Sequence, residues 1–263
     1  MNPKRLLNIQ HGYNYRDIGG YPTRDGRVTK WHKIVRSGNL AQLSIKDQAY
    51  LLNYGVICDV DLRSKGEAKH EPDRVPKGIK YIFNPIHGNH RPPKINDMRR
   101  DFSDDPTLSH HHMEETYRGM IDGHHARRYY RKLFKIFLKY GDRGAILMHC
   151  SQGKDRTGMG IVMLLLTLGV DPKTVKQDYL ISQKEMVPYI KLKQEHFKRY
   201  HVNANFMANI QSLYTVSPDY LDAAIHEVHQ KYGTWQHFEK KYLHLNPRKI
   251  ERLKHYYLET PQK

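Results

Sequence analysis

The chain has 263 residues and a formal net charge of +17, with 44 Lys+Arg against 27 Asp+Glu. Its two cysteines, Cys58 and Cys150, exclude a disulfide framework, and no run of about eighteen apolar residues offers a membrane-spanning helix. The length suits one domain, 1–263, because no Pro/Gly/Ser-rich linker divides it.

The N-terminus, MNPKRLLNIQHGYNYRD, lacks the apolar core of a signal peptide, so a cytoplasmic location is the default expectation, with export by another route left open. Gly19-Gly20 permit a sharp turn, and Arg24-Asp25-Gly26-Arg27 between Tyr21 and Val28 reads as a hairpin turn. Lys33 to Arg36 is a short strand, and Ser44 caps a helix whose Leu51 and Leu52 face inward. Gly55 to Leu62 reads as a strand ending at Arg63, and Lys80 to Phe83 as another, broken by Pro85. Ile86 to Asp105 loses periodicity and gains prolines and charges, the pattern of a mobile cover. Helices are predicted at about His112 to Ile121 and His124 to Tyr140, the second with Tyr130, Leu133, Phe134, Phe137 and Leu138 on one apolar face.

Ala145 to His149 is a strand-length apolar run, and from Arg156 to Leu168 the chain is apolar on every face, as in a buried helix closed by Gly169. The remainder, about 171–263, is almost all helical: Pro172 to Ser182, a basic and aromatic stretch from Lys184 to Tyr214, Pro218 to Tyr232, and Asn246 to Leu258. The fold class is therefore α/β, a central and mostly parallel sheet of four or five strands with helices on both faces and a helical C-terminal extension or lid.

Between the apolar strand and the buried helix lies His149-Cys150-Ser151-Gln152-Gly153-Lys154-Asp155-Arg156-Thr157. Five residues between Cys150 and Arg156 let the loop curl so that the guanidinium faces the volume above the sulfur. The backbone N–H groups of Ser151 to Arg156 then form a nest for phosphate oxygens at a helix N-terminus. Such surroundings lower a cysteine pKa from about 8.5 into the range of roughly 3.5 to 7.5. Cys150 is thus a candidate nucleophile toward phosphorus, and Arg156 a bidentate partner of the equatorial oxygens. Ser151, Gln152, Gly153 and Lys154 are candidate substrate-binding residues, with Lys154 offering a cation to a multiply phosphorylated headgroup. Supporting candidates are His149, to fix the loop, Thr157, to donate to the sulfur, Arg16 and Asp17, to brace the loop, and Arg63, which ends its strand with Asp61 near the mouth above Cys150.

HCSQGKDRTG resembles the phosphate-binding signature of the cysteine-dependent protein tyrosine phosphatases, in the bacterial branch that carries GKDRT. Asn14-Tyr15-Arg16-Asp17-Ile18-Gly19-Gly20 is similar to that branch's N-x-R-D-x-G-G motif. Arg36 to Leu40, and Asp61-Leu62-Arg63-Ser64 with Glu67, resemble its next two, and Leu168 to Asp171 and Asp178 to Leu180 resemble the segment after the catalytic helix. The resemblance spans about Asn14 to Tyr232. It implies hydrolysis of phosphotyrosine in proteins through a phosphocysteine, with phosphoserine, phosphothreonine and phosphoinositides as further substrates, a bound phosphate, and no cofactor. It also implies that the general acid is Asp155, within the loop; Asp101, Asp104, Asp105 and Asp122 are the alternatives that a separate acid loop would use.

Other classes find less support. The eighteen histidines, His110-His111-His112 and His124-His125 among them, lack metal-ligand spacing, so no metal is expected. The basic residues are scattered over helical faces without a nucleic-acid recognition motif, so no nucleic-acid partner is expected. A phosphoprotein-binding module that does not turn over would have lost the cysteine, the arginine or the acid, and all three are present.

Overall fold

The computed structural model describes residues 5–88 and 95–261. The N-terminal half runs β1 (Arg16–Asp17), β2 (Val28–Thr29), β3 (Ile34–Ser37), α1 (Ile45–Asn53), β4 (Val56–Asp61), α2 (Lys65–His70), β5 (Lys80–Phe83), α3 (Ile95–Asp104), α4 (Leu108–Asp122) and α5 (His124–Tyr140). β6 (Ala145–His149) and α6 (Arg156–Leu168) follow. The chain then continues as α7 (Pro172–Glu185), α8 (Val187–Lys198), α9 (Ala204–Tyr214), α10 (Pro218–Tyr232), α11 (Trp235–Lys241), α12 (Pro247–Tyr257) and β7 (Leu258–Glu259). No helix among the described residues is long and apolar enough to cross a membrane.

The main sheet has five strands in the order β1-β3-β6-β4-β5, parallel throughout except where β1 meets β3. Alternation along the strands, interrupted in β4 by an irregularity between Val56 and Cys58, divides the core in two. Ile34, Cys58, Val60, Ile146 and Met148 face a cluster built with α4, α5, α6 and the C-terminal helices. Val35, Val56, Ala145 and Leu147 face a smaller cluster with Leu51 of α1, Leu40, Leu43 and Tyr15. Both faces of β6 are thus buried, which is why it reads as an unbroken apolar run. Gly160 lets α6 lie close on that strand, since a Cβ there would come within 2.6 Å of Met148 Cε. Gly169, at φ 90°, ends α6 with its N–H on the carbonyls of Leu165 and Leu166.

Several elements depart from the sequence expectation. Part of the segment Ile86 to Asp105 is the helix α3, and residues 89–94 lie outside the described residues. Its polar sequence hides Met98 and Phe102, which pack on Phe206 and Ile210 of α9 in a separate apolar cluster, so tertiary contact overrides weak local periodicity. α4 begins at Leu108, four residues before His112. The basic and aromatic stretch resolves into α8 and α9, and α2, α11 and β7 are additional elements. β7 pairs antiparallel with β2, carrying the end of the chain back to the hairpin near Gly26.

Candidate active site

Parallel strands β3, β6 and β4 deliver Ser37, His149 and Asp61 in register to one sheet edge, so the loop after β6 opens between the loops after its two neighbours. The outer surface of that loop is tied down one carbonyl at a time. Asn39 N–H donates to the Ser151 carbonyl at 3.2 Å, Asn14 Nδ2 to that of Gln152 at 3.1 Å, and Arg36 Nη2 to that of Gly153 at 2.8 Å. In a trans peptide the carbonyl and the following N–H point opposite ways. Three carbonyls drawn outward therefore turn the amides of Gln152, Gly153 and Lys154 inward, toward the volume above Cys150. Gly153, at φ 69°, is where this curl is tightest: a Cβ would meet the Ser37 carbonyl oxygen at 2.1 Å.

The ties are themselves anchored. Asp178 of α7 accepts from Arg16 Nε at 3.2 Å and from Arg36 Nη1 at 2.8 Å, and all three side chains are buried. Arg16 also donates to Asn14 Oδ1 and to Ser182 Oγ, so the N-terminal motif, β3 and α7 form one cradle under the loop. Asp17 does not brace it. Its carboxylate accepts instead from Gly19 N–H, His32 N–H and Tyr54 OH, holding the turn after β1.

Cys150 is 2% exposed. Burial alone would push its thiol up, but the Arg156 charge and the hydroxyl and N–H of Thr157 bring it below the ordinary value, which favours thiolate. Arg156 Nη1 and Nη2 each sit 2.7 Å from a carboxylate oxygen of Glu67, whose Oε1 also accepts from Ser151 Oγ at 2.5 Å. Burial would raise the Glu67 carboxyl, and Arg156 overcomes this to hold it well below the usual carboxylate range. Glu67 is placed by a capping box at the start of α2: Ser64 N–H donates to Oε2 at 2.9 Å, and Glu67 N–H donates to Ser64 Oγ at 3.3 Å. Ser64-x-x-Glu67 is the signal that sequence reasoning could have used to give Glu67 this role.

Asp155 follows Lys154 at the helix mouth and accepts from Tyr117 OH at 2.8 Å; Tyr117 in turn accepts from Tyr179 OH at 2.9 Å. The carboxyl is partly open, at 21% side-chain exposure. The other four aspartates are elsewhere: Asp101 pairs with Arg100, Asp105 caps Thr107, Asp122 pairs with Lys231, and Asp104 ends α3. Lys154 departs from expectation. Its Nζ is buried, donating to the carbonyls of Leu213 at 2.6 Å and Thr215 at 2.9 Å, with Asp155 at 3.2 Å. The ammonium thus ties the loop to the junction of α9 and α10 and is not free for a second phosphate.

Beneath the loop, His149 Nε2 lies 3.3 Å from Asp59 Oδ1 and 3.2 Å from Asp73 Oδ2, and Nδ1 lies 3.1 Å from the Cys150 carbonyl. Burial disfavours the charged ring, but Asp59 and Asp61 outweigh it and raise its pKa well above the usual value. Because a carbonyl only accepts, Nδ1 carries the hydrogen, so His149 donates to the Cys150 carbonyl and holds the loop's first residue. Asp59, Asp73 and His149 lie close enough together to ligate a metal. Arg63 already donates to the same Asp73 oxygen at 2.5 Å and to Asp61 at 2.8 Å, so positive charge is present beside this cluster. Arg63 acts there as a structural counterion, not at the mouth. Cys58 pairs in register with Ile146, four residues before Cys150, or about 13 Å along the strand. That exceeds the reach of about 7 Å needed for a disulfide between them.

A family model described as "Tyrosine phosphatase family" matches residues 7–259. The chain is 28% identical over 246 residues to a Cupriavidus necator protein named as a tyrosine-protein phosphatase, covering 93% of this chain and 85% of that one. It is 24% identical over 260 residues to the triple specificity protein phosphatase PtpB of Mycobacterium tuberculosis, covering 87% and 91%. A solved structure of Pseudomonas aeruginosa TpbA in complex with phosphotyrosine aligns over 77% of this chain and 90% of that one, at 13% identity and a TM-score of 0.33.

Proposed function

Because this chain belongs to the tyrosine phosphatase family, we propose that it hydrolyses phosphotyrosine in proteins through a phosphocysteine formed on Cys150. The geometry that carries the reading is a buried thiol set beneath inward-facing amides and beside Arg156, whose charge favours the thiolate. The Cys150 thiolate attacks phosphorus in line, the phosphorus–oxygen bond to tyrosine breaks, and Asp155 gives its proton to the departing phenolate oxygen. In the second step Asp155, now a carboxylate, takes a proton from water, whose oxygen attacks phosphorus; the sulfur–phosphorus bond breaks, returning the Cys150 thiolate and giving inorganic phosphate. The loop amides and Arg156 carry the charge that shifts between the three equatorial oxygens. His149, Thr157, Arg36 and Glu67 hold these groups in place. The strand–loop–helix and the C-terminal helices act as one catalytic unit, since α7 and the junction of α9 and α10 both bind the loop. A reduced Cys150 suits a reducing compartment such as the cytoplasm.

Broader specificity, extending to phosphoserine, phosphothreonine and phosphoinositides, has one support, the triple specificity of PtpB. Lys154 does not add to it, because its ammonium is already spent on two carbonyls. The test is phosphate release from phosphotyrosine and phosphoserine peptides and from phosphoinositide vesicles, with chelator, by the native chain and by Cys150→Ser. Chelator-resistant release from the phosphotyrosine peptide, abolished by the substitution, is expected. A native chain that binds the peptide without turnover would replace the reading with a phosphoprotein-binding module.

A further inference from the structure

Asp178 and Tyr179 are neighbours on α7 and serve the loop by different routes. Asp178 holds Arg36, which donates to the Gly153 carbonyl, while the Tyr179 hydroxyl donates to Tyr117 at 2.9 Å and Tyr117 donates to Asp155 Oδ1 at 2.8 Å. The direction of this second chain is fixed at its end. A carboxylate only accepts, so the Tyr117 hydrogen goes to Oδ1 and its oxygen is left to accept from Tyr179. Both tyrosines are buried, and α10 adds the ring of Tyr220, 5.8 Å from that of Tyr117. Burial pushes both phenols well above their ordinary value, so each keeps its hydrogen near neutral pH. Asp155 itself stands at the N-cap of α6, where an aspartate ordinarily accepts from the first turn, yet its side chain makes no capping bond. It turns instead to Tyr117.

The two oxygens of Asp155 are therefore unlike. Lys154 Nζ lies 3.3 Å from Oδ1 and 3.2 Å from Oδ2 and does not distinguish them, whereas Tyr117 donates to Oδ1. The other titratable or charged groups facing this carboxyl are Cys150 and Arg156 in the loop, Tyr130 on α5, Tyr179 on α7 and Tyr220 on α10. We propose that Tyr117 is a positioning residue for the general acid: its hydroxyl, backed by Tyr179, occupies Oδ1 and confines the transferable proton to Oδ2. The proposal rests on the reading of Asp155 as the acid. When Asp155 gives its Oδ2 proton to the departing phenolate oxygen, the carboxylate that forms is met by a hydrogen bond already in place, which strengthens as the charge appears. Tyr117 keeps its own proton throughout. In the second step the same bond leaves Oδ2 free to take the proton from water.

Tyr117→Phe keeps the ring and removes the hydroxyl, and Tyr179→Phe removes the second donor. Tyr220→Phe is the packing control, because the Tyr220 hydroxyl donates to the Ser212 carbonyl and not into the chain. The measurement is kcat/KM against pH for aryl phosphates with poor and good leaving groups, in these variants, in Asp155→Asn, and in Tyr117→Phe combined with Asp155→Asn. A donor to a carboxylate favours its charged form, so removing the donor lets the carboxyl hold its proton to higher pH. The basic limb should move up by about one pH unit in Tyr117→Phe, by less in Tyr179→Phe, and stay in place in Tyr220→Phe. Tyr117→Phe should also lose at least about tenfold more with poor leaving groups than with good ones, and this extra loss should vanish in the Asp155→Asn background. A uniform loss, an unmoved basic limb, a limb that moves as far in Tyr220→Phe, or additive losses in the combined variant overturns the proposal and leaves Asp155 as the acid. A native chain without turnover, or Asp155→Asn without selective loss, defeats the reading of Asp155 first and the proposal with it.

Discussion

Replacing Asp178 by asparagine removes the only charge that Arg16 and Arg36 share as a carboxylate partner among the described residues. Burial would raise the Asp178 carboxyl, yet Arg16 and Arg36 hold it at about 2 in the folded protein. Against an ordinary value near 3.9, that gap corresponds to about 2.5 kcal/mol of folding free energy. Because the folded pKa is the lower one, this stability is fully present above about pH 4 and is lost as the pH falls through about 2. Arg36 meanwhile is pushed down to about 10, first by burial and then by the Arg16 charge, so the two guanidiniums repel and one carboxylate serves both. Removing it strands two buried cations, and the loss at neutral pH should reach about 3–5 kcal/mol. For a chain of this size the corresponding fall in Tm is about 10 °C. Since Arg36 positions the Gly153 carbonyl, kcat/KM for a phosphotyrosine peptide should drop at least about tenfold. Urea unfolding of the native chain and Asp178→Asn between pH 3 and pH 7, paired with turnover at pH 7, checks both. A stability difference within about 1 kcal/mol at pH 7, or one that fails to narrow toward pH 3, would refute the argument.

Three further outcomes are expected. Asp155→Asn should slow aryl phosphates with poor leaving groups by about 10²–10⁴ while nearly sparing good ones; a uniform loss, or the selective effect appearing in Asp122→Asn instead, would move the acid elsewhere. Glu67→Gln keeps the shape of the carboxylate but not its charge, so the paired Arg156 should lose orientation and kcat/KM should fall by about 10- to 100-fold; unchanged kinetics would mean that the loop alone fixes the guanidinium. Iodoacetamide near neutral pH should label Cys150 and leave Cys58, which burial pushes up to about 12, as judged by peptide mapping; equal labelling would contradict the environments assigned to the two thiols.

The strand, loop and buried helix around Cys150 were legible because each announces itself locally: an apolar run, a glycine where the backbone must curl, a helix apolar on every face. The cradle was legible only as motifs. Arg16, Arg36, Arg63 and Asp178 stood out as residue types at certain spacings, but which carboxylate meets which guanidinium depends on strand order and on α7 returning beneath the loop. Arg16 braces the loop as expected, whereas Asp17 holds the neighbouring turn and Arg63 pairs beneath the loop with the carboxylates that flank His149, a distinction that sequence adjacency cannot make. Glu67 was visible as part of a motif and as a capping box, yet its second partner is eighty-nine residues away. Lys154 misled because a cation in a phosphate loop is naturally read as facing phosphate. Its direction is set by carbonyls near Leu213 that no local pattern reveals. α3 was missed for the opposite reason: its apolar positions are few and find their partner only in α9.

The bond from Lys154 to the Leu213 and Thr215 carbonyls has a consequence for the order in which the molecule is made. A chain emerging from the ribosome has the strand, the loop and α6 well before those carbonyls exist. Until the segment near Thr215 is synthesised and docks, the ammonium lacks both carbonyls and has only Asp155 and water as partners, and burying it so poorly paired is costly. The phosphate loop can therefore reach its final shape only late in synthesis, after α7, α8 and α9 have been released. Nascent chains arrested before Thr215 would carry the whole Cys150 to Arg156 sequence without its settled geometry, so the onset of phosphatase competence should follow chain length with a step near that point.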